Sequence, residues 1–253
     1  LKRKNGWIGA VLALCAAASI AVHAETLPGL FESDAMNDSY DIRVHLPSSY
    51  DSEPERSYQL VVILDANYWF DETSSLSNGF QVSPRGLVEV TDALVAAEVI
   101  PEVILVGVGY PGELQRGRDF HGSPQLFFSF LRSELLPAVE QQYRVDEARG
   151  NVLFGHSSGG FFAAFAFLHS RYYGYDCFQH VLAISGDYSR NDGVLELKEE
   201  LLARRVNAGL SKVEGALYFA YGEREENRFQ VPAKELSHQI QAREYPDLRL
   251  QIT

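Results

Sequence analysis

Residues 151–168 read NVLFGHSSGGFFAAFAFL, and no other stretch restricts the fold as strongly. A short apolar run, Asn151 to Phe154, enters Gly155-His156-Ser157-Ser158-Gly159, and an almost wholly apolar run leaves it. The pattern predicts a buried strand, a sharp turn and a buried helix. Gly-x-Ser-x-Gly by itself says little, because it arises by chance in roughly one chain in ten of this length. Its setting makes it informative. A serine on a tight strand-to-helix turn is held in a strained backbone that lifts its hydroxyl clear of the sheet. Glycines on either side, lacking Cβ, let the turn close. Ser157 rather than Ser158 stands between the two glycines and is the candidate nucleophile. The alternative is a Gly/Ser helix cap with a locally satisfied hydroxyl. The amide of Ser158 lies at the predicted helix N-terminus and is the first candidate donor to an oxyanion.

The rest of the chain alternates in the same way. Tyr40 to Leu46 alternates polar and apolar residues, as a half-exposed strand does. Continuous apolar runs at 58–64, 103–108, 181–185 and 216–221, with 249–253 last, suit strands of a mostly parallel sheet. Helical periodicity fills the gaps at 86–97, 124–143, 158–172, 193–206 and 232–244. The prediction is one α/β domain, with helices on both faces of a mostly parallel central sheet. The loop after the 58–64 strand, Asp65-Ala66-Asn67-Tyr68, is placed to supply the second oxyanion donor, through the amide of Ala66 or Asn67. Asn67 could instead simply close a turn.

The N-terminus follows a different rule. Lys2, Arg3 and Lys4 precede an apolar, Ala-rich run from Trp7 to Val22, and Val22-His23-Ala24 ends it. This is the three-part pattern of a secretory signal, with cleavage expected after Ala24. Residues 1–24 are thus expected to be a signal peptide and 25–253 the domain. The product would be exported to the periplasm or the medium, without stable membrane insertion. Of the two cysteines, Cys15 and Cys177, only Cys177 would remain, so no intrachain disulfide could form. The formal charge of −12 disfavours a nucleic-acid partner, which needs a basic face.

Five segments together resemble one known family: VVILDANYWF (61–70), VILVGVGY (103–110), RGRDF (116–120), FLRSELLPAVEQQYRVD (130–146) and NVLFGHSSGGFFAAFAFL (151–168). The chain is similar to the "putative esterase" family of α/β-hydrolases, which holds esterase D-type enzymes, feruloyl esterases, siderophore trilactone esterases and the antigen 85 mycolyltransferases. The resemblance implies an α/β-hydrolase fold, a small-molecule ester substrate, and a Ser–His–acid triad or Ser–His dyad. It also implies that no metal or organic cofactor is needed. The acid it implies follows the 216–221 strand and is Glu225, with Glu223, Glu226 and Asp187 as alternatives. Tyr68, Tyr110, Arg116 and Arg118 are candidate substrate-binding residues, although structural ion pairs would equally suit the two arginines.

A neutral hydroxyl is a poor nucleophile and needs a base. The resemblance implies a histidine after the last strand. None of the seven histidines (His23, His45, His121, His156, His169, His180, His238) occupies that place. The expectation is therefore a chain truncated before its catalytic-histidine loop. The alternatives are an acyltransferase of the same family and a binding relative that has lost its base. Oligomeric state is not legible.

Overall fold

The computed structural model describes residues 27–71, 86–112, 114–188 and 193–253. The signal segment predicted over 1–24 lies outside the described residues. Among the described residues eight strands form one sheet in the order β1-β2-β4-β3-β5-β6-β7-β8. They are β1 (Gly29–Ser33), β2 (Asp38–His45), β3 (Gln59–Leu64), β4 (Val103–Gly109), β5 (Val152–His156), β6 (His180–Ile184), β7 (Glu214–Ala220) and β8 (Asp247–Ile252). β1 with β2 and β2 with β4 run antiparallel, and every other neighbouring pair is parallel. The α/β-hydrolase architecture expected from the sequence is thus present, with β1 as an additional strand that the apolar pattern did not mark.

The helices are α1 (Ala66–Trp69), α2 (Leu87–Ala96), α3 (Pro124–Phe130), α4 (Leu136–Gln142), α5 (Ser158–Tyr173), α6 (Val194–Asn207) and α7 (Asn227–Gln241). The single helix predicted over 124–143 is two α-helices joined by a wider π turn, Leu131–Leu135. The helix predicted from Pro232 begins at Asn227, with Pro232 inside it. A further π turn, Gly117–Gly122, follows β4.

Strand alternation divides the core. Leu60, Val62 and Leu64 of β3 face one apolar cluster with α3, α4, α5, α6 and α7. Ile63 faces a second, smaller cluster with Phe70, Leu87 and Val88. All seven residues of β4 are buried, as expected of a strand covered on both faces. α5 is buried from Gly159 through Arg171 and ends at Gly174, whose left-handed backbone (φ 72°) closes the helix. This burial fixes the orientation of α5 and, with it, the turn that precedes it.

Candidate active site

Six non-glycine residues among those described have positive φ, and three of them end neighbouring strands: Asp65 (57°) after β3, Ser157 (57°) after β5 and Ser185 (45°) after β6. Backbone strain gathered along one edge of a sheet needs support from its surroundings and marks a site. Ser157, at φ 57° and ψ −121°, occupies the turn into α5. A Cβ at Gly155 would sit 2.1 Å from the carbonyl oxygen of Gly159, and one at Gly160 would sit 2.7 Å from that of Ile184. Only glycine permits strand, turn and helix to approach so closely. The Ser157 N–H donates to Ile184 O (3.0 Å), and its carbonyl accepts from the N–H of Asp187 (2.9 Å). The elbow is thereby fastened to the segment after β6.

α1 lies beside this turn. The Tyr68 N–H donates to Asp65 O at 2.8 Å. The backbone N–H groups of Asn67 and Ser158 find no acceptor among the described residues. Both begin helices, where first-turn donors have no intrahelical partner. The Asn67 side chain has a separate task. Its Nδ2 donates to Tyr110 O (2.9 Å), and its Oδ1 accepts from the Tyr110 N–H (2.7 Å). This two-point clamp ties the loop to the end of β4, so the turn-closing alternative describes the Asn67 side chain and leaves its backbone amide available. Ala66 is fully buried, and its carbonyl accepts from Phe70.

Asp65 is 1% exposed, and its carboxylate takes two bonds from Arg116, Nε to Oδ1 at 2.7 Å and Nη2 to Oδ2 at 3.1 Å. Burial pushes this carboxyl up, and the guanidinium opposes the shift. Arg116 also lies over the half-buried ring of Tyr68, 5.6 Å from its centroid. Arg118 spends its nitrogens on Asp119 (2.6 Å), Asp38 (2.6 Å) and the Tyr40 hydroxyl (3.2 Å). Tyr110 is 4% exposed, and its ring packs 5.8 Å from that of Tyr40. Arg116 and Arg118 thus form the structural ion pairs that were the alternative to substrate binding, and the Tyr110 ring is buried. Asp119 is the neighbour of Arg118 in sequence, whereas Asp65 and Asp38 lie 51 and 80 residues from their arginines, and spacing alone could not pair those. Tyr68 keeps a partly exposed position beside the elbow.

The loop expected to carry the acid follows β7. The Glu225 N–H donates to Gly222 O at 3.0 Å, closing a turn that folds the side chain back over Gly222. Gln230 Nε2 holds the loop through Glu225 O at 2.8 Å. Glu225 Oε1 accepts from the Ser185 hydroxyl at 2.6 Å, whereas Oε2 is buried and has no hydrogen-bond partner among the described residues. Glu223 and Glu226 point outward, and Glu226 pairs with Arg228 at 3.2 Å. Sequence reasoning missed Ser185. Its only signal was a polar residue followed by glycine at the end of an apolar strand.

The described histidines have other surroundings. His156 packs on Trp69, with ring centroids 4.5 Å apart, and burial lowers its pKa while Glu225 opposes the shift. His121 stacks on Phe161 at 4.6 Å. Burial and then Lys198 push His169 down to about 4. His45 meets Asp92, His180 meets Arg149 O, and His238 is exposed on α7. None of them bonds the Ser157 hydroxyl. No group of acidic, histidine and cysteine side chains among the described residues could hold a metal.

Comparison with known proteins matches residues 33–252 to the family described as "Putative esterase". Ferri-bacillibactin esterase BesA of Bacillus subtilis is 31% identical over 168 residues, which are 55% of this chain and 53% of that protein. The match thus spans about half the length of that relative. Among solved structures, the BES protein of Bacillus cereus superposes with a TM-score of 0.67 at 23% identity, covering 88% of this chain and 84% of that one. The enterobactin esterase FES of Shigella flexneri gives a TM-score of 0.60 at 20% identity, covering 88% and 52%. At these identities the two structures speak for the fold, and the family match spans nearly all of the described chain. The chain belongs to the "Putative esterase" family of α/β-hydrolases.

Proposed function

We propose that this chain is the body of a serine esterase that cleaves a small-molecule carboxylic ester through an acyl-enzyme. The observation that carries the reading is the strained Ser157 at the strand-to-helix turn, flanked by the undonated N–H groups of Asn67 and Ser158. Ser157 Oγ attacks the ester carbonyl and passes its proton to an imidazole. The carbonyl oxygen becomes an oxyanion held by the two amides, each worth roughly 2.7–4 kcal/mol in known sites. The C–O bond to the alcohol then breaks, and the leaving oxygen takes the proton back. Water attacks the acyl-serine by the same route and releases the acid. No metal or organic cofactor enters these steps.

Glu225 is the acid in this reading, because its buried Oε2 can receive an imidazole N–H. In this reading the imidazole stands between Glu225 Oε2 and Ser157 Oγ, at the sheet edge where both residues lie. Tyr68 is the wall for the substrate beside the oxyanion amides. The secretory pattern of residues 1–24 supports an exported enzyme. Siderophore esters are the first natural substrates to try, since BesA and FES are named for them.

The test uses the full-length natural protein with p-nitrophenyl acetate and butyrate and a catecholate trilactone. Hydrolysis that disappears in Ser157→Ala supports the reading. Ester binding without turnover by the complete protein would instead make it a binding relative.

A further inference from the structure

Among the residues that the reading leaves without a role, Ser185 has the most unusual surroundings. It is 6% exposed and sits at φ 45°, where an L-residue is strained. Its N–H donates to Ala220 O at 2.6 Å, and its hydroxyl donates to Glu225 Oε1 at 2.6 Å. The residues on either side of it bind the elbow: Ile184 O accepts from the Ser157 N–H, and the Asp187 N–H donates to Ser157 O. Gly160 packs against Ile184 O and Gly186 so closely that a Cβ would come within 2.7 Å and 3.0 Å of them. One short segment, 184–187, therefore holds the nucleophile through its backbone and the carboxylate through a single side chain.

We propose that Ser185 is a positioning residue for the acid. It fixes the carboxylate of Glu225 by its Oε1, so that Oε2 alone faces the imidazole. This rests on the reading of Glu225 as the acid of Ser157. The geometry supplies the physical reason. A carboxylate on a three-torsion side chain has many rotamers, and a short hydroxyl bond to one oxygen selects one of them. The positive φ directs the side chain of Ser185 away from its strand and toward the loop after β7. A bond from a neutral donor to an ionised acceptor also spreads the charge that the other oxygen must present.

The test compares Ser185→Ala, Ser185→Gly and Glu225→Gln with the wild type in the full-length protein, using p-nitrophenyl butyrate. Both Ser185 variants lose the hydroxyl, but glycine also relieves the positive φ. The expected result is a fall in kcat of roughly ten- to hundredfold in both, with KM changed less than about twofold. The acidic limb of the kcat/KM profile should move to higher pH. Without the hydroxyl the carboxylate is a stronger base, and the imidazolium beside it holds its proton more tightly. The Tm of the glycine variant should equal or exceed that of the alanine variant. A purely structural serine would move Tm and leave the pH profile in place. Unchanged kcat and pH profile in both Ser185 variants, with Glu225→Gln inactive, overturns the proposal and leaves the acid assignment standing. Full activity in Glu225→Gln overturns the acid assignment, and the role of Ser185 goes with it.

Discussion

Asp65 and Glu225 are carboxylates at the same edge of one sheet, and their surroundings treat them in opposite ways. Asp65, after β3, is wholly buried and has both oxygens filled by a bidentate arginine. Glu225, after β7, has one oxygen bonded to Ser185 and the other buried without a partner. Removing a carboxylate from water is costly, and the cost is recovered only when its lone pairs are met. Asp65 meets that condition and belongs to the scaffold. Glu225, a partly exposed residue, meets half of it, and its buried, unpartnered oxygen calls for an explanation. The proposed function offers one: in that reading the open oxygen receives an imidazole N–H. The difference is between a carboxylate with both oxygens met and one with an oxygen left open, although both follow strands of the same sheet.

The sharpest way to break the contrast is Glu225→Gln. The amide keeps an acceptor for Ser185 and loses the charge. kcat should fall about 10⁴-fold, as when a triad acid loses its charge elsewhere, and steady-state hydrolysis of a p-nitrophenyl ester reads it directly. Next in size is Arg116→Met, which leaves Asp65 buried and unpaired. Denaturant unfolding should show a loss of about 3–5 kcal/mol. Asn67→Ala removes two bonds to the Tyr110 backbone, and the same measurement should give a loss of about 1–3 kcal/mol. Its kcat should fall as well, because the oxyanion loop is no longer clamped to β4. The smallest effect is the stability of Glu225→Gln itself, expected within about 1 kcal/mol of wild type. A stability loss in Glu225→Gln as large as that of Arg116→Met would erase the distinction.

Much of this arrangement was legible in the residue order, and the limits have physical causes. The apolar runs at 58–64 and 103–108 announced β3 and β4 because strands buried on both faces cannot alternate. NVLFGHSSGG announced the elbow because its glycines answer to contacts only a few residues away. β1 escaped notice because its five residues are too short and too mixed in burial to show a period. The break of the 124–143 helix into α3, a π turn and α4 leaves the apolar spacing almost unchanged. The strained turn at Ser157 and the first-turn positions of the Asn67 and Ser158 amides follow from local sequence. The pairing of Arg116 with Asp65 and of Arg118 with Asp38 does not, since these partners lie 51 and 80 residues away. Ser185 reaches Glu225 across 40 residues, and pairing at that range is decided by strand order, which one sequence does not state.

The central claim is that Ser157 is the nucleophile, and covalent labelling tests it most directly. The full-length natural protein is treated with a fluorophosphonate, digested, and the modified peptide is identified by mass spectrometry. The expected result is one adduct, on Ser157, formed in step with loss of esterase activity and absent from Ser157→Ala. An adduct on a different serine, or hydrolysis that survives with Ser157 replaced, would contradict it.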